Sequence, residues 1–127
     1  MALFPMTKVS LISVVDDDES LRESLQGLLR ALRFAVEVFS SAESFLGSDA
    51  LPKTKCLILD VSMPGMSGPE LQRELMSRGE KIPIIFITSR ADEDVVSRVM
   101  ADGAIACLIK PFTEDSLLQA INLSHSG

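Results

Sequence analysis

Four polar signals have the types and placement to do chemistry: Asp16-Asp17, Asp60, Thr88 and Lys110. Each comes at the end of an apolar run. Carboxylates held together repel one another unless a cation sits among them. Oxygen ligands, with no His or Cys beside them, suit Mg2+, which keeps several waters and takes phosphate oxygens. A lysine adds positive charge, and a hydroxyl adds a donor. Together they suit a transferring phosphoryl group, whose oxygens need cations and donors more than covalent help. A carboxylate can itself accept that group as an aspartyl phosphate. Asp60 is the residue expected to carry the chemistry, with the other polar signals converging on it, because it closes the apolar run 56–59 just ahead of Met63-Pro64-Gly65.

Taken singly, each signal has an ordinary reading. Asp16, Asp17 and Asp18 could be a solvated helix start, where Asp is favoured. Asp60 could cap a strand end, Thr88 a turn, and Lys110 could be a surface charge. Their meaning depends on whether the fold brings them to one place.

The elements that must do this are legible as alternating strands and helices. Lys8 to Val15 is rich in β-favouring residues and stops at the acids. Leu21, Leu25, Leu28, Leu29 and Leu32 then recur at helical spacing. Ser20 and Glu23 are spaced as a capping box, although the helix could begin a residue or two earlier. Residues 34–39 read as a more exposed strand near a sheet edge. Ser40 and Glu43 are spaced to cap a short helix closed by Gly47. Residues 48–55 read as a surface loop.

The run through Asp60 is a strand buried on both faces, and Pro64 cannot continue it. Ser67-Gly68-Pro69-Glu70 is a strong helix start, with Leu71 and Leu75 on its inner face and Gly79 at its end. A strand at 82–87 leads to Thr88. A helix at 92–100 carries Val95, Val96, Val99 and Met100 on one face and stops near Gly103. A last strand at 104–109 leads to Lys110-Pro111-Phe112, and Thr113 caps a final helix with Leu117, Leu118 and Ile121. Five strand–helix repeats predict an α/β fold: a mainly parallel sheet with helices on both faces. All strands then point one way, so the polar groups share the carboxyl rim, where such sheets place ligands.

The chain of 127 residues suits one domain, and its 46% hydrophobic content suffices for a core without disulfides or a structural metal. Cys56 and Cys107 lie in apolar runs and read as free thiols of an intracellular protein. A net charge of −6 argues against direct nucleic-acid binding. No run approaches the roughly 20 apolar residues that span a bilayer. The first eight residues lack the pattern of a signal peptide, so a cytoplasmic protein is expected. The one histidine, His125, lies in a tail, 124–127, that reads as frayed: a natural end or the start of a linker.

The segments Val14-Val15-Asp16-Asp17, Leu59-Asp60-Val61-Ser62-Met63-Pro64-Gly65-Met66-Ser67-Gly68, Ile84-Ile85-Phe86-Ile87-Thr88 and Ile109-Lys110-Pro111-Phe112 occur in order, each at a strand end. In this the sequence resembles the receiver domain of two-component response regulators, over essentially its whole length and with a leaning to the FixJ type. The resemblance implies a flavodoxin-like (βα)5 fold, a doubly wound parallel sheet of strand order 2-1-3-4-5. Residues 1–127 would be one receiver domain, which could be the N-terminal part of a longer regulator. Asp60 would be the phosphoacceptor. Mg2+ would be held by Asp16, Asp17, Asp60 and the backbone carbonyl of Ser62. Thr88 and Lys110 would bind the phosphoryl group, and Lys110-Pro111 would be a cis peptide bond. Asp18 falls past the site, at the helix start.

The donor implied is the phosphohistidine of a sensor histidine kinase or histidine phosphotransfer protein. Phosphorylation would shift the face built from the fourth helix, fifth strand and fifth helix. That face would then control dimerisation, a partner or a DNA-binding output domain outside these residues. One position departs from the family pattern. Receivers usually carry Tyr or Phe three residues before the lysine, and this chain has Cys107, read here as a packing residue. Two other classes compete: a receiver-like binding module that is never phosphorylated, and a small phosphatase with an Asp nucleophile. Such phosphatases usually carry a second carboxylate two residues on, where this chain has Ser62.

Overall fold

The computed structural model describes residues 10–90 and 92–126. Five parallel strands form one sheet in the order β2-β1-β3-β4-β5. They are β1 Leu11–Val15, β2 Ala35–Phe39, β3 Thr54–Asp60, β4 Ile84–Thr88 and β5 Ala106–Ile109. The intervening helices are α1 Glu19–Ala31, α2 Ala42–Leu46, α3 Gly68–Ser77, α4 Glu93–Ala101 and α5 Glu114–Ser126. This is the flavodoxin-like arrangement. Of the first strand, Lys8 and Val9 lie outside the described residues.

The sheet is sandwiched because its central strands are apolar on both faces. Along β3, Leu57 and Leu59 face one core, with Ala42 and Phe45 of α2, Leu71 and Leu75 of α3 and Val99 of α4. Cys56 and Ile58 face the other, with Leu25 and Leu29 of α1 and Leu117, Ala120 and Ile121 of α5. Successive side chains point to opposite faces of a strand. The buried polar groups of this framework are paired: Ser13 Oγ with Thr54 Oγ1 at 2.7 Å, and Gln72 Nε2 donating to Val99 O at 3.0 Å. The two cysteines are free and face opposite cores, which leaves them no route to a disulfide.

Several local expectations shift. Asp18, not Ser20, caps α1, its Oδ1 accepting from Ser20 N at 2.9 Å. A carboxylate two residues earlier reaches the free N–H groups of the first turn and starts the helix sooner. Ser41, not Ser40, caps α2. The loop predicted over 48–55 holds a 3-10 turn, Leu51–Lys53, with Ala50 and Leu51 buried, and β3 already begins at Thr54. Met100 is exposed, because the inner side of α4 is spent on Val99. The tail is helical to Ser126, and His125 stacks on Phe34 with ring centroids 6.2 Å apart. By contrast, the Ser67–Glu70 capping box and the cis Lys110-Pro111 bond are both present.

Candidate functional site

The strand order reverses between β1 and β3, and the two candidate acids lie side by side there. Asp16 directly follows β1 and Asp60 ends β3. Asp16 is fully buried and Asp60 nearly so, while Asp17 is exposed. One carboxylate oxygen from each of the three lies within 4.8 Å of the others. Asp18 is not in the group, because its carboxylate is used in capping α1.

Each acid is fixed by its surroundings. Asp16 Oδ1 accepts from Asp18 N at 2.8 Å, and its backbone N donates to Phe39 O at 3.1 Å. Its other oxygen accepts from Lys110 Nζ at 3.1 Å, and the same ammonium lies 3.7 Å from Asp60 Oδ1. Lys110 reaches both because its own backbone N donates to Thr88 O at 2.7 Å just past β5. Asp60 is pushed up to about 6, first by burial and then by the neighbouring Asp16 carboxylate. Lys110 and the Ser62 backbone N–H oppose that shift without cancelling it. The cluster therefore carries more negative charge than one lysine neutralises.

That imbalance, with an all-oxygen donor set, fits a hard divalent cation such as Mg2+. Asp17 has exposed oxygens to offer, and Ser62 lies exposed two residues beyond Asp60. Thr88 is on the same rim, at the end of β4. Its hydroxyl is engaged locally, donating to Arg90 O at 3.0 Å and accepting from Arg90 N at 3.1 Å. So the structure brings Asp16, Asp17, Asp60 and Lys110 into one cluster. It leaves Thr88 beside them with its hydroxyl turned to its own loop.

Two further residues support the site without having been singled out in the sequence. Arg22 reaches back from α1 and donates to Asp16 O at 2.8 Å. Gly68 starts α3 so close to β3 that a Cβ there would collide with Asp60 O and the Phe86 ring. A glycine at the first helical position, just after a strong cap, is the only sequence signal for that approach.

The family profile described as "Response regulator receiver domain" matches residues 12–122. The chain belongs to that family. It is 44% identical over 114 residues to "Response regulator protein TodT" of Pseudomonas putida, covering 90% of this chain and 50% of the relative. It is 38% identical over 118 residues to "Transcriptional regulatory protein FixJ" of Bradyrhizobium diazoefficiens, covering 91% and 57%. The receiver thus spans about half the length of the curated relatives it matches. Among solved structures it superposes on response regulator StyR with a TM-score of 0.86, at 45% identity, covering 94% of this chain and 60% of that one. It superposes on FixJ-N with a TM-score of 0.83, at 35% identity, covering 93% and 94%. This receiver is a two-component response-regulator domain. Among its described residues no helix is long and apolar enough to cross a membrane.

Proposed function

We propose that this receiver is a cytoplasmic switch that accepts a phosphoryl group on Asp60 in a Mg2+-dependent reaction. The observation that carries this reading is Asp60 itself, a nearly buried carboxylate at a strand end with Lys110 at 3.7 Å and two further acids within ligand range. Asp16, Asp17, Asp60 and the Ser62 carbonyl would hold the metal. When bound, Mg2+ would neutralise the acids and the incoming phosphoryl oxygens.

The donor is a phosphohistidine of a sensor kinase or phosphotransfer protein. An Asp60 oxygen attacks phosphorus, the O–P bond forms as the P–N bond breaks, and the electron pair returns to the imidazole. Lys110 Nζ then moves its pairing from Asp16 toward the phosphoryl oxygens. An apolar groove of Leu21, Leu25, Leu28, Pro111 and Phe112 opens beside Lys110 and supports an approach of the donor from that side. Thr88 would release Arg90 and turn its hydroxyl to the new oxygens. That changes the loop into α4 and biases the α4-β5-α5 face toward its active form.

The chain acts as a phosphoacceptor rather than as an enzyme, with slow self-dephosphorylation by water. Residues 1–127 would form the N-terminal receiver of a longer regulator. The greater length of the relatives, one of them a "Transcriptional regulatory protein", supports a DNA-binding output domain outside this span. Phosphorylation would act on it through dimerisation or release.

The test is intact-mass measurement after incubation with Mg2+ and a small acyl phosphate, for the wild type and Asp60→Asn. One base-labile adduct that requires both Mg2+ and Asp60 is expected. No adduct in the wild type would leave an unphosphorylated binding module. Continuous turnover of a phosphoester would point to a phosphatase.

A further inference from the structure

The loop 61–67 carries Ser62, and a residue from a different helix ties it down. Glu43 lies in the first turn of α2, where its spacing suggests a cap for its own helix. The cap is instead made by Ser41, which accepts from Ser44 N at 3.1 Å. That leaves the Glu43 carboxylate free to reach across the surface, and its Oε2 accepts from Met66 N at 3.0 Å. A second observation marks the same contact. Gly65 has a φ of +75°, and a Cβ on it would lie 2.8 Å from Glu43 Oε2. The carboxylate is therefore packed against the bare glycine as well as bonded to the next amide.

The rest of the loop is anchored at its ends. Val61 N donates to Ile87 O and Gly68 N to Val61 O, both at 3.0 Å. The Met63 side chain is buried in the core that includes Ala42 and Phe45 of α2. Between these anchors the Glu43–Met66 bond fixes the side of the loop that runs from the Ser62 carbonyl to α3. We infer that Glu43 is a positioning residue for the metal site, holding the loop so that the Ser62 carbonyl stays aimed at the cation. This rests on the reading of Ser62 as a ligand given above. Residues that orient metal ligands from outside the coordination sphere change metal affinity without touching the ion.

The test compares wild type, Glu43→Ala and Glu43→Gln by three readouts. Calorimetric titration gives the Mg2+ dissociation constant, amide hydrogen exchange of the metal-free protein reports Met66, and acyl-phosphate labelling is followed against Mg2+ concentration. Glu43→Ala should weaken Mg2+ by about three- to tenfold, the scale of one ordinary net hydrogen bond on an exposed loop. It should speed exchange at Met66 and raise the half-saturating Mg2+, with the labelling rate at saturating Mg2+ unchanged. Glu43→Gln keeps an oxygen acceptor and should stay within about twofold of wild type. Equal losses in Ala and Gln would mean that the charge acts at long range and would overturn the inference, as would no change in Ala. If Glu43→Ala does not fold, Glu43→Ser, whose hydroxyl is too short to reach the Met66 amide, takes its place and is judged by the same outcomes. A wild type that neither binds Mg2+ nor takes label would instead refute the proposed function itself.

Discussion

Lys110 Nζ sits closer to Asp16 than to Asp60, 3.1 Å against 3.7 Å, so the lysine is paired with the buried acid just past β1 before any phosphoryl group arrives. The ion pair sits at the rim of the sheet, and its ammonium is the cation that a phosphoryl group would meet there. It neutralises a fully buried carboxylate, and it can be drawn away only by something more negative.

Replacing Lys110 by Met removes that counter-charge. Metal-free Lys110→Met should lose roughly 1–3 kcal/mol of stability, because the buried Asp16 carboxylate is left without its cation. Its Mg2+ affinity should rise, since one positive charge no longer competes for the acids. Chemical denaturation with and without Mg2+ checks both: added Mg2+ should recover more stability in the variant than in the wild type.

Asp60 gives a pH dependence with a definite sign. Its folded value of about 6 lies above the ordinary 3.8, so the folded state holds the proton more tightly than the unfolded chain. Ionised Asp60 thus costs stability above pH 6, and the cost disappears as pH falls toward 4. In metal-free protein Asp60→Asn should be more stable than wild type at pH 7.5 by about 1–3 kcal/mol, the advantage shrinking between about pH 6 and 4. Thermal melts across that range, without Mg2+, would contradict this if the two proteins changed in parallel.

Gly68 should tolerate no side chain. Gly68→Ala drives a Cβ into backbone at Asp60 and into the Phe86 ring, and backbone cannot give way as a flexible side chain does. A loss of about 1–3 kcal/mol is expected, typical of overpacking. Because the strain falls on Asp60, acyl-phosphate labelling should slow in the folded fraction. Gly79→Ala, where a Cβ would meet nothing, is the control: its positive φ alone should cost less.

The two thiols should differ sharply in reactivity. Cys56 is buried, and burial pushes its thiol up to about 11. Cys107 is half-buried, its thiol is raised by burial too, and it borders a cavity of about 100 Å3 with Thr88, Arg90 and Val95. Native protein at pH 8 should take one maleimide, at Cys107, and a second only on unfolding. Peptide mass mapping checks the assignment. Cys107→Ala should fold normally and still label at Asp60, because the thiol is not part of the Asp16, Asp17 and Asp60 cluster. Rapid labelling of Cys56 in the native state would contradict its burial.

Much of this receiver was legible in the chain because its signals are local. Strand–helix alternation follows from apolar period, and the helix starts at Ser67 and Thr113 from capping chemistry. The sequence order of the four segments was enough to place Asp16, Asp17, Asp60, Thr88 and Lys110 on one rim, since parallel strands all end on the same side. Caps one or two residues apart were harder. Ser40 or Ser41, and Asp18 or Ser20, are equivalent by spacing, and only the path of the incoming backbone selects between them.

Tertiary structure alone decided what depends on distances across the chain. Glu43 leaves its own helix for an amide 23 residues away, and Lys110 chooses Asp16, 94 residues distant, over Asp60. The Thr88 hydroxyl turns to Arg90 and away from the acids. Asp60 gains its raised pKa from burial and from Asp16, neither of which acts on it in the unfolded chain. Residue type and period set which elements form and which groups reach the rim. Hydrogen bonds need contact distances of about 3 Å and charge interactions are screened over about 10 Å, so which partner each group takes is fixed only when the sheet closes.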